Sequence, residues 1–152
     1  MTATNLSVNN SSFGNGTVGA APLKNMELLD SLVSKAIARE EHLPGIVGFS
    51  GPSGFGKSTA AAYLAARKQA AYVEVRSVWT KKAFLENLAT VLGRRGDAKT
   101  INELLTQVTQ ELAVSQRPLI IDEFDHAIEQ NLIELVRDIY EQARSPIVII
   151  GE

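Results

Sequence analysis

Hydrophobic positions along the chain follow two periods, one typical of strands and one typical of helices. Short apolar runs, which indicate buried strands, lie at residues 45–50, 71–76, 118–121 and 146–150. Apolar residues spaced three and four apart, which indicate helices, lie at about residues 26–41, 57–68, 80–92, 100–114 and 126–143. Because these strands and helices alternate, we expect a parallel sheet of about four strands covered by helices on both faces.

Local signals mark some boundaries of these elements. Pro44 is expected to end the first helix, and Gly93 is well placed to stop the third. Thr100 is followed three residues later by Glu103, which is the pattern of a capping box. A helix should therefore start at Thr100.

The first 21 residues differ in composition from the rest of the chain. They are rich in Asn, Ser, Thr and Gly and contain few sizeable apolar side chains. Such a stretch buries too little surface to offset the entropy cost of ordering it. We expect a flexible tail at residues 1–21 and one domain over residues 22–152, a length that suits a single core.

Composition and charge narrow the function classes. The 152 residues include no cysteine, which excludes disulfides and thiolate metal sites. The N-terminus carries no signal-peptide pattern, and the apolar runs are far shorter than the roughly 20 residues that cross a bilayer. These features predict a cytoplasmic protein without a membrane partner.

A glycine-rich loop joins the first strand to the second helix. The pattern G-x-x-x-x-G-K-[ST] is complete, with Gly51, Gly56, Lys57 and Ser58 at its fixed positions. Glycines allow the backbone to turn successive N–H groups toward an anion, and the helix that follows adds its N-terminal dipole. Lys57 is expected to contact the β- and γ-phosphates, and the Ser58 hydroxyl to bind Mg²⁺. The predicted cofactor-binding residues are Gly51, Pro52, Ser53, Gly54, Phe55, Gly56, Lys57, Ser58 and Thr59.

Two carboxylates follow the third apolar run. Asp122 and Glu123 come directly after residues 119–121, and ligands of parallel sheets lie at the carboxyl ends of the strands. Asp122 is therefore a candidate Mg²⁺ ligand. Glu123 is a candidate general base for the water that attacks the γ-phosphate, so Glu123 and Lys57 are the predicted catalytic residues. Alone, such a pair most often marks a strand entering a solvated turn; behind a complete phosphate loop it indicates an ATP and Mg²⁺ site.

The loop Gly51–Ser58 and the pair Asp122-Glu123 resemble the Walker A and Walker B motifs of AAA+ ATPases. Within that family, the runs Gly-Pro-Ser-Gly-Phe-Gly-Lys-Ser-Thr and Ile-Ile-Asp-Glu-Phe-Asp-His look like the branch that contains DNA transposition protein B of Mu-like phages. The resemblance covers about residues 22–152. It implies a three-layer αβα P-loop core and an ATPase that binds double-stranded DNA, assembles as a homo-oligomer or filament, and activates a transposase.

The chain departs from this family pattern in two places. The family core continues into a fifth strand and a helical lid, whereas this sequence stops at Glu152, so we expect a core that is incomplete at its C-terminus. A polar sensor residue is expected at the end of the fourth strand, where Gly151 and Glu152 stand. The alternative function is that of an initiator-type or signalling relative that acts as a nucleotide-gated binding module. A small-molecule kinase is less compatible, because such kinases lack the acidic pair.

A basic segment at residues 76–99 carries a net charge of +4, while the rest of the chain carries −6. It could bind a phosphate backbone without sequence preference, or simply be a solvated helix face. The candidate DNA contacts are Lys81, Lys82, Arg94 and Arg95.

Several lone residues have an ordinary structural interpretation. Trp79 is expected to cover the start of a helix instead of stacking on a base, and His126 to begin a helix instead of binding metal. For Arg137 and Arg144, ion pairs with nearby acidic residues are expected over a reach to a neighbouring nucleotide.

Overall fold

The computed structural model describes residues 17–51, 56–94, 96 and 98–152, with side chains from residue 23 onward. The four strands are β1 (Ile46–Ser50), β2 (Ala71–Glu74), β3 (Leu119–Asp122) and β4 (Ile147–Gly151). The six helices are α1 (Thr17–Ala38), α2 (Lys57–Arg67), α3 (Lys81–Val91), α4 (Ile101–Ser115), α5 (Phe124–Glu129) and α6 (Ile133–Ala143).

All four strands are parallel and form one sheet in the order β1-β4-β3-β2. The register pairs Ser50 with Gly151 and Glu74 with Asp122, so the carboxyl ends of the strands meet at one edge of the sheet. β3 and β4 lie in the middle, and their burial explains the apolar runs 119–121 and 147–150. The predicted three-layer α/β class with about four parallel strands is confirmed.

Helices cover both faces of the sheet and create two apolar clusters. On one face α1 and α2 pack over Phe49, Ile120, Val148 and Ile150. On the other face α3, α4 and α6 pack over residues that include Ile121. Side chains alternate along a strand, so Asp122 shares the α1 and α2 face with Ile120. This places the Asp122 carboxylate on the side of the sheet where α2 begins.

Two helix predictions require correction. The helix predicted at residues 126–143 is two helices, α5 and α6, because Asn131 takes a left-handed backbone conformation with φ 57° between them. A polar asparagine tolerates that conformation better than most residues do.

The first helix spans residues 17–38 instead of 26–41. Residues 17–21 of the predicted flexible tail are therefore helical, and they include Ala20 and Ala21, which have the highest helix propensity. At the other end the helix stops at Ala38, where the Arg39 guanidinium donates to the carbonyl of Ala36, in the last turn, and to that of Arg144. Residues 1–16 of the predicted tail lie outside the described residues.

None of the helices in the described part of the chain combines the length and apolar character that a bilayer crossing requires.

Candidate functional site

A cavity of about 370 Å³ opens at the carboxyl edge of the sheet. Its walls are residues 56–59 at the start of α2, Asp122 and Glu123 at the end of β3, and Gly151 and Glu152 at the end of β4. The parallel arrangement creates this cavity, since each wall follows the end of a strand. The structure thus brings together the two motifs that the sequence separates by about 65 residues.

The start of α2 presents backbone donors to the cavity. Gly56 precedes the helix with φ 77°, a left-handed conformation that glycine adopts without steric cost, and it has no side chain with which to cap the helix. The first N–H groups of a helix have no partner within it, and together with the helix dipole they favour an anion. Ser58 and Thr59 stand in this first turn and line the cavity. The predicted loop residues Pro52, Ser53, Gly54 and Phe55 lie outside the described residues.

Lys57 connects the ends of two neighbouring strands. Its ammonium group donates to the carbonyl oxygen of Gly51, after β1, and to that of Gly151, in β4, at 3.0 Å. The Gly51 N–H donates to the same Gly151 oxygen at 3.3 Å. The cation is therefore half-buried at the cavity wall, and its partners among the described residues are carbonyl oxygens, which leaves it available to an incoming anion.

Asp122 is a buried carboxylate with two fixed donors. It is 2% exposed. Its Oδ1 accepts from the Glu123 N–H at 2.8 Å, and its Oδ2 accepts from the Tyr72 hydroxyl at 2.7 Å. Burial, followed by the hydrogen bond to Asp122, raises the pKa of Tyr72 above its ordinary value, so the phenol remains a proton donor. Because a donor holds each of its two oxygens, the carboxylate would present one fixed orientation to a cation.

Glu123 marks the turn from β3 into α5. Its backbone is left-handed, with φ 55° and ψ 46°, and it is the residue that precedes the helix. A non-glycine residue in this region costs about 1 kcal/mol or more, a strain that is common at functional sites. The turn keeps Glu123 at the cavity wall beside Asp122 while the chain leaves the sheet.

Two residues at the site were not predicted from the sequence. One is Tyr72, a residue of β2 whose ring is apolar and whose hydroxyl can form a hydrogen bond. The other is Asp125, whose Oδ2 accepts from the Glu152 N–H at 2.9 Å. A Cβ atom on Gly151 would lie 3.1 Å from that oxygen, so glycine at the end of β4 leaves room for the Asp125 carboxylate. A polar group therefore stands beside the end of β4, although the strand itself supplies none.

The basic segment does not form one patch. Lys81 and Lys82 are exposed in the first turn of α3, whereas Arg94 follows the end of that helix and pairs with Glu111 at 3.0 Å. The eleven residues of α3 separate the two groups by about 16 Å. Arg95 lies outside the described residues. Of the predicted DNA contacts, only the lysine pair is an exposed cluster within the described residues.

The lone residues mostly behave as expected. Trp79 packs edge-on against Phe84 with ring centroids 6.3 Å apart, which confirms that it covers the start of α3. His126 lies in the first turn of α5, 3.5 Å from a Glu129 oxygen. Arg137 pairs with Glu134 and Glu141, as predicted. The prediction for Arg144 was wrong: its left-handed backbone ends α6, and its guanidinium lies 5.8 Å from the centroid of the Tyr140 ring.

The family model described as an AAA domain matches residues 40–152 of the chain. Among curated proteins, no sequence matches the chain significantly. The matched range includes every wall of the cavity, from the phosphate loop to Glu152.

Proposed function

The chain belongs to the AAA family of P-loop ATPases, and on that premise we propose that it binds ATP with Mg²⁺ in the cavity and hydrolyses the γ-phosphate. The observation that carries this proposal is that Lys57, Ser58, Asp122 and Glu123 all line one cavity. A triphosphate needs cations and amides on one side and a metal-binding carboxylate on the other.

Phosphate binding falls to the start of α2. Free N–H groups and the helix dipole attract the phosphate oxygens. The ammonium of Lys57 exchanges its carbonyl partners, Gly51 and Gly151, for phosphate oxygens of full negative charge. Charge-assisted hydrogen bonds of this kind are roughly twice as strong as neutral ones, so the exchange is favourable.

Ser58 and Asp122 form a donor set that suits Mg²⁺. Mg²⁺ prefers oxygen ligands and is usually held by one or two carboxylates together with substrate phosphates. One hydroxyl and one buried carboxylate at the same cavity fit that requirement. When bound there, the ion would neutralise charge on the β- and γ-phosphates.

Glu123 is the proposed general base. It orients a water molecule and accepts its proton as the water oxygen attacks the γ-phosphorus. The bond from that phosphorus to the β–γ bridging oxygen breaks, which releases ADP and inorganic phosphate. A site that only binds nucleotide has no need of a carboxylate at this position.

The biological role proposed for the ATPase is in DNA transposition. The protein would bind double-stranded DNA in the ATP state, assemble on it as a homo-oligomer or filament, and stimulate a transposase. This rests on the resemblance of the two motifs to the transposition branch and on the exposed pair Lys81 and Lys82. The second candidate is a nucleotide-gated binding module of the initiator or signalling type, which the position of Gly151 favours, since β4 supplies no polar sensor side chain.

Calorimetric titration with ATP and with ADP, in the presence of Mg²⁺, tests nucleotide binding. Loss of charge-assisted hydrogen bonds, worth about 1.5–3 kcal/mol each, predicts that Lys57→Ala weakens binding by about 100-fold or more. The matched control is Lys35→Ala, which removes an exposed lysine from α1 and should leave affinity unchanged. Failure of the wild-type chain to bind either nucleotide would contradict the proposal.

A further inference from the structure

Tyr72 is the residue of β2 whose hydroxyl reaches the cavity carboxylate. It pairs in register with Ile120, and Asp122 stands two residues further along β3, toward the carboxyl edge. Two residues of a parallel strand rise about 6.6 Å, a distance that a tyrosine side chain can span. The ring packs against the apolar cluster under α1 and α2, and the hydroxyl emerges at Asp122.

This contact completes the fixation of the Asp122 carboxylate. The Glu123 N–H holds Oδ1 from the backbone, and that donor is present whatever side chain stands at position 123. The donor to Oδ2 is a side chain and is contributed by a different strand. Without the Tyr72 hydroxyl, Oδ2 would lose this donor, although the carboxylate is only 2% exposed. The carboxylate would then be free to rotate.

We propose that Tyr72 is a positioning residue that orients Asp122 for Mg²⁺, and thereby sets how strongly Mg²⁺ strengthens nucleotide binding. This inference rests on the proposed Mg²⁺-ATP site. Hydrogen-bond partners of metal ligands typically account for 10- to 100-fold in metal affinity or activity when they are removed. Tyr72 is not one of the residues that line the cavity, so it would act through Asp122.

The competing explanation is that Tyr72 only fills space in the core. Tyr72→Phe separates the two, because it keeps the ring and its packing and removes only the hydroxyl. Tyr63→Phe is the matched control: Tyr63 lies on α2 with 48% of its surface exposed, and its ring packs against the Arg67 guanidinium.

The experiment measures ADP affinity in EDTA and then as a function of Mg²⁺ concentration. We expect Tyr72→Phe to bind ADP in EDTA within twofold of the wild type, which also shows that the variant is folded. The Mg²⁺ concentration that gives half of the metal-dependent gain in affinity should rise about tenfold. Tyr63→Phe should change neither quantity.

A second comparison uses Asp122→Asn, which removes the proposed metal ligand. In that background, Tyr72→Phe should produce no further change in the Mg²⁺ requirement. An unaltered Mg²⁺ requirement in Tyr72→Phe, beside a wild type that responds to Mg²⁺, would overturn the role of Tyr72 alone. A wild type that binds nucleotide without any response to Mg²⁺ would overturn the proposed metal site as well.

Discussion

The end of β3 and the basic helix α3 were both candidate binding regions, but their side chains differ in burial and in the partners that hold them. At the end of β3, Asp122 is buried, held by two donors, and lines the same cavity as Lys57. Along α3, the basic side chains lie at both ends of the helix, and Arg94 is already paired with Glu111. The end of β3 thus forms part of an ordered cavity, whereas α3 presents a pair of exposed lysines.

The difference comes from what each pattern specifies. The phosphate loop and the acidic pair fix residues at the ends of strands, and parallel pairing then brings those ends together. A count of charges along a segment carries no such constraint, because a helix distributes its side chains around its axis and along its length. Motifs tied to backbone geometry therefore predict a site, whereas local charge predicts only a tendency.

The largest effect is expected at Glu123. Glu123→Gln keeps the size of the side chain and removes the proton acceptor, so ATP turnover should fall by about 10²- to 10⁴-fold while nucleotide affinity stays near that of the wild type. Release of inorganic phosphate and calorimetric binding measure the two quantities separately.

Glu129→Gln is the control, since this exposed residue lies on the same short helix, away from the cavity walls. Unchanged turnover in Glu123→Gln would remove Glu123 from the mechanism. A wild-type chain that binds ATP without any turnover would instead favour the nucleotide-gated binding module.

An intermediate effect is expected on DNA binding. Replacing Lys81 and Lys82 together by alanine should weaken binding to double-stranded DNA of every sequence and reduce the slope of log affinity against log salt by about two. The control removes Lys24 and Lys35, two exposed lysines of α1, and thus has the same net charge. Equal losses in both double variants would show that net charge, not the position of the pair, determines the affinity.

The dependence of DNA binding on ATP distinguishes a nucleotide-gated binding module from an ATPase that is driven by hydrolysis. If ATP and a non-hydrolysable analogue support DNA binding equally, nucleotide occupancy is sufficient, as a gated module requires. If DNA release requires hydrolysis, the site acts as a switch driven by Glu123.

Sequence periodicity predicted the layers and the strand count, because strands buried on both faces are apolar throughout. Periodicity failed where the backbone conformation or the contacts of a single residue accompany a break or an end of a helix. Asn131 splits a helix whose apolar spacing continues across the break, and Arg39, directly after α1, donates to a carbonyl 105 positions away. Such long-range contacts leave no periodic signal.

The residues of the site can likewise be separated into those that the sequence predicted and those that it did not. The sequence predicted that Lys57, Ser58, Asp122 and Glu123 would share one crevice, because the loop pattern fixes residue type and spacing and the acidic pair follows a strand. All four line the cavity. Tyr72 and Asp125 were missed, because their partners depend on strand order and register. The order β1-β4-β3-β2 puts β2 beside β3, and only then can a hydroxyl of β2 reach Asp122.

Substitutions at Gly151 and Asp125 test the contact between these two residues in the cavity wall at the end of β4. Gly151→Ala should lower the free energy of unfolding by about 1 kcal/mol, because the new methyl group displaces a hydrogen-bonded carboxylate. Asp125→Ala removes that carboxylate, so the second substitution should cost less in its presence. Denaturant unfolding of both single variants and the double variant should give a coupling energy of at least about 0.5 kcal/mol. Strict additivity would show that the two residues do not interact.

The smallest effect is expected at the start of α4, far from the cavity. Thr100 Oγ1 accepts from the Glu103 N–H, and Glu103 Oε2 accepts from the Thr100 N–H, both at 3.1 Å, which confirms the predicted capping box. Thr100→Ala should cost about 1 kcal/mol of unfolding free energy. Thr106→Ala, at an exposed position within the same helix, should cost nothing, because alanine is the better helix former. Neither variant should alter nucleotide affinity, since a cap acts on its own helix and α4 contributes no wall of the cavity; a change in ADP affinity in Thr100→Ala alone would show that α4 and the site are coupled.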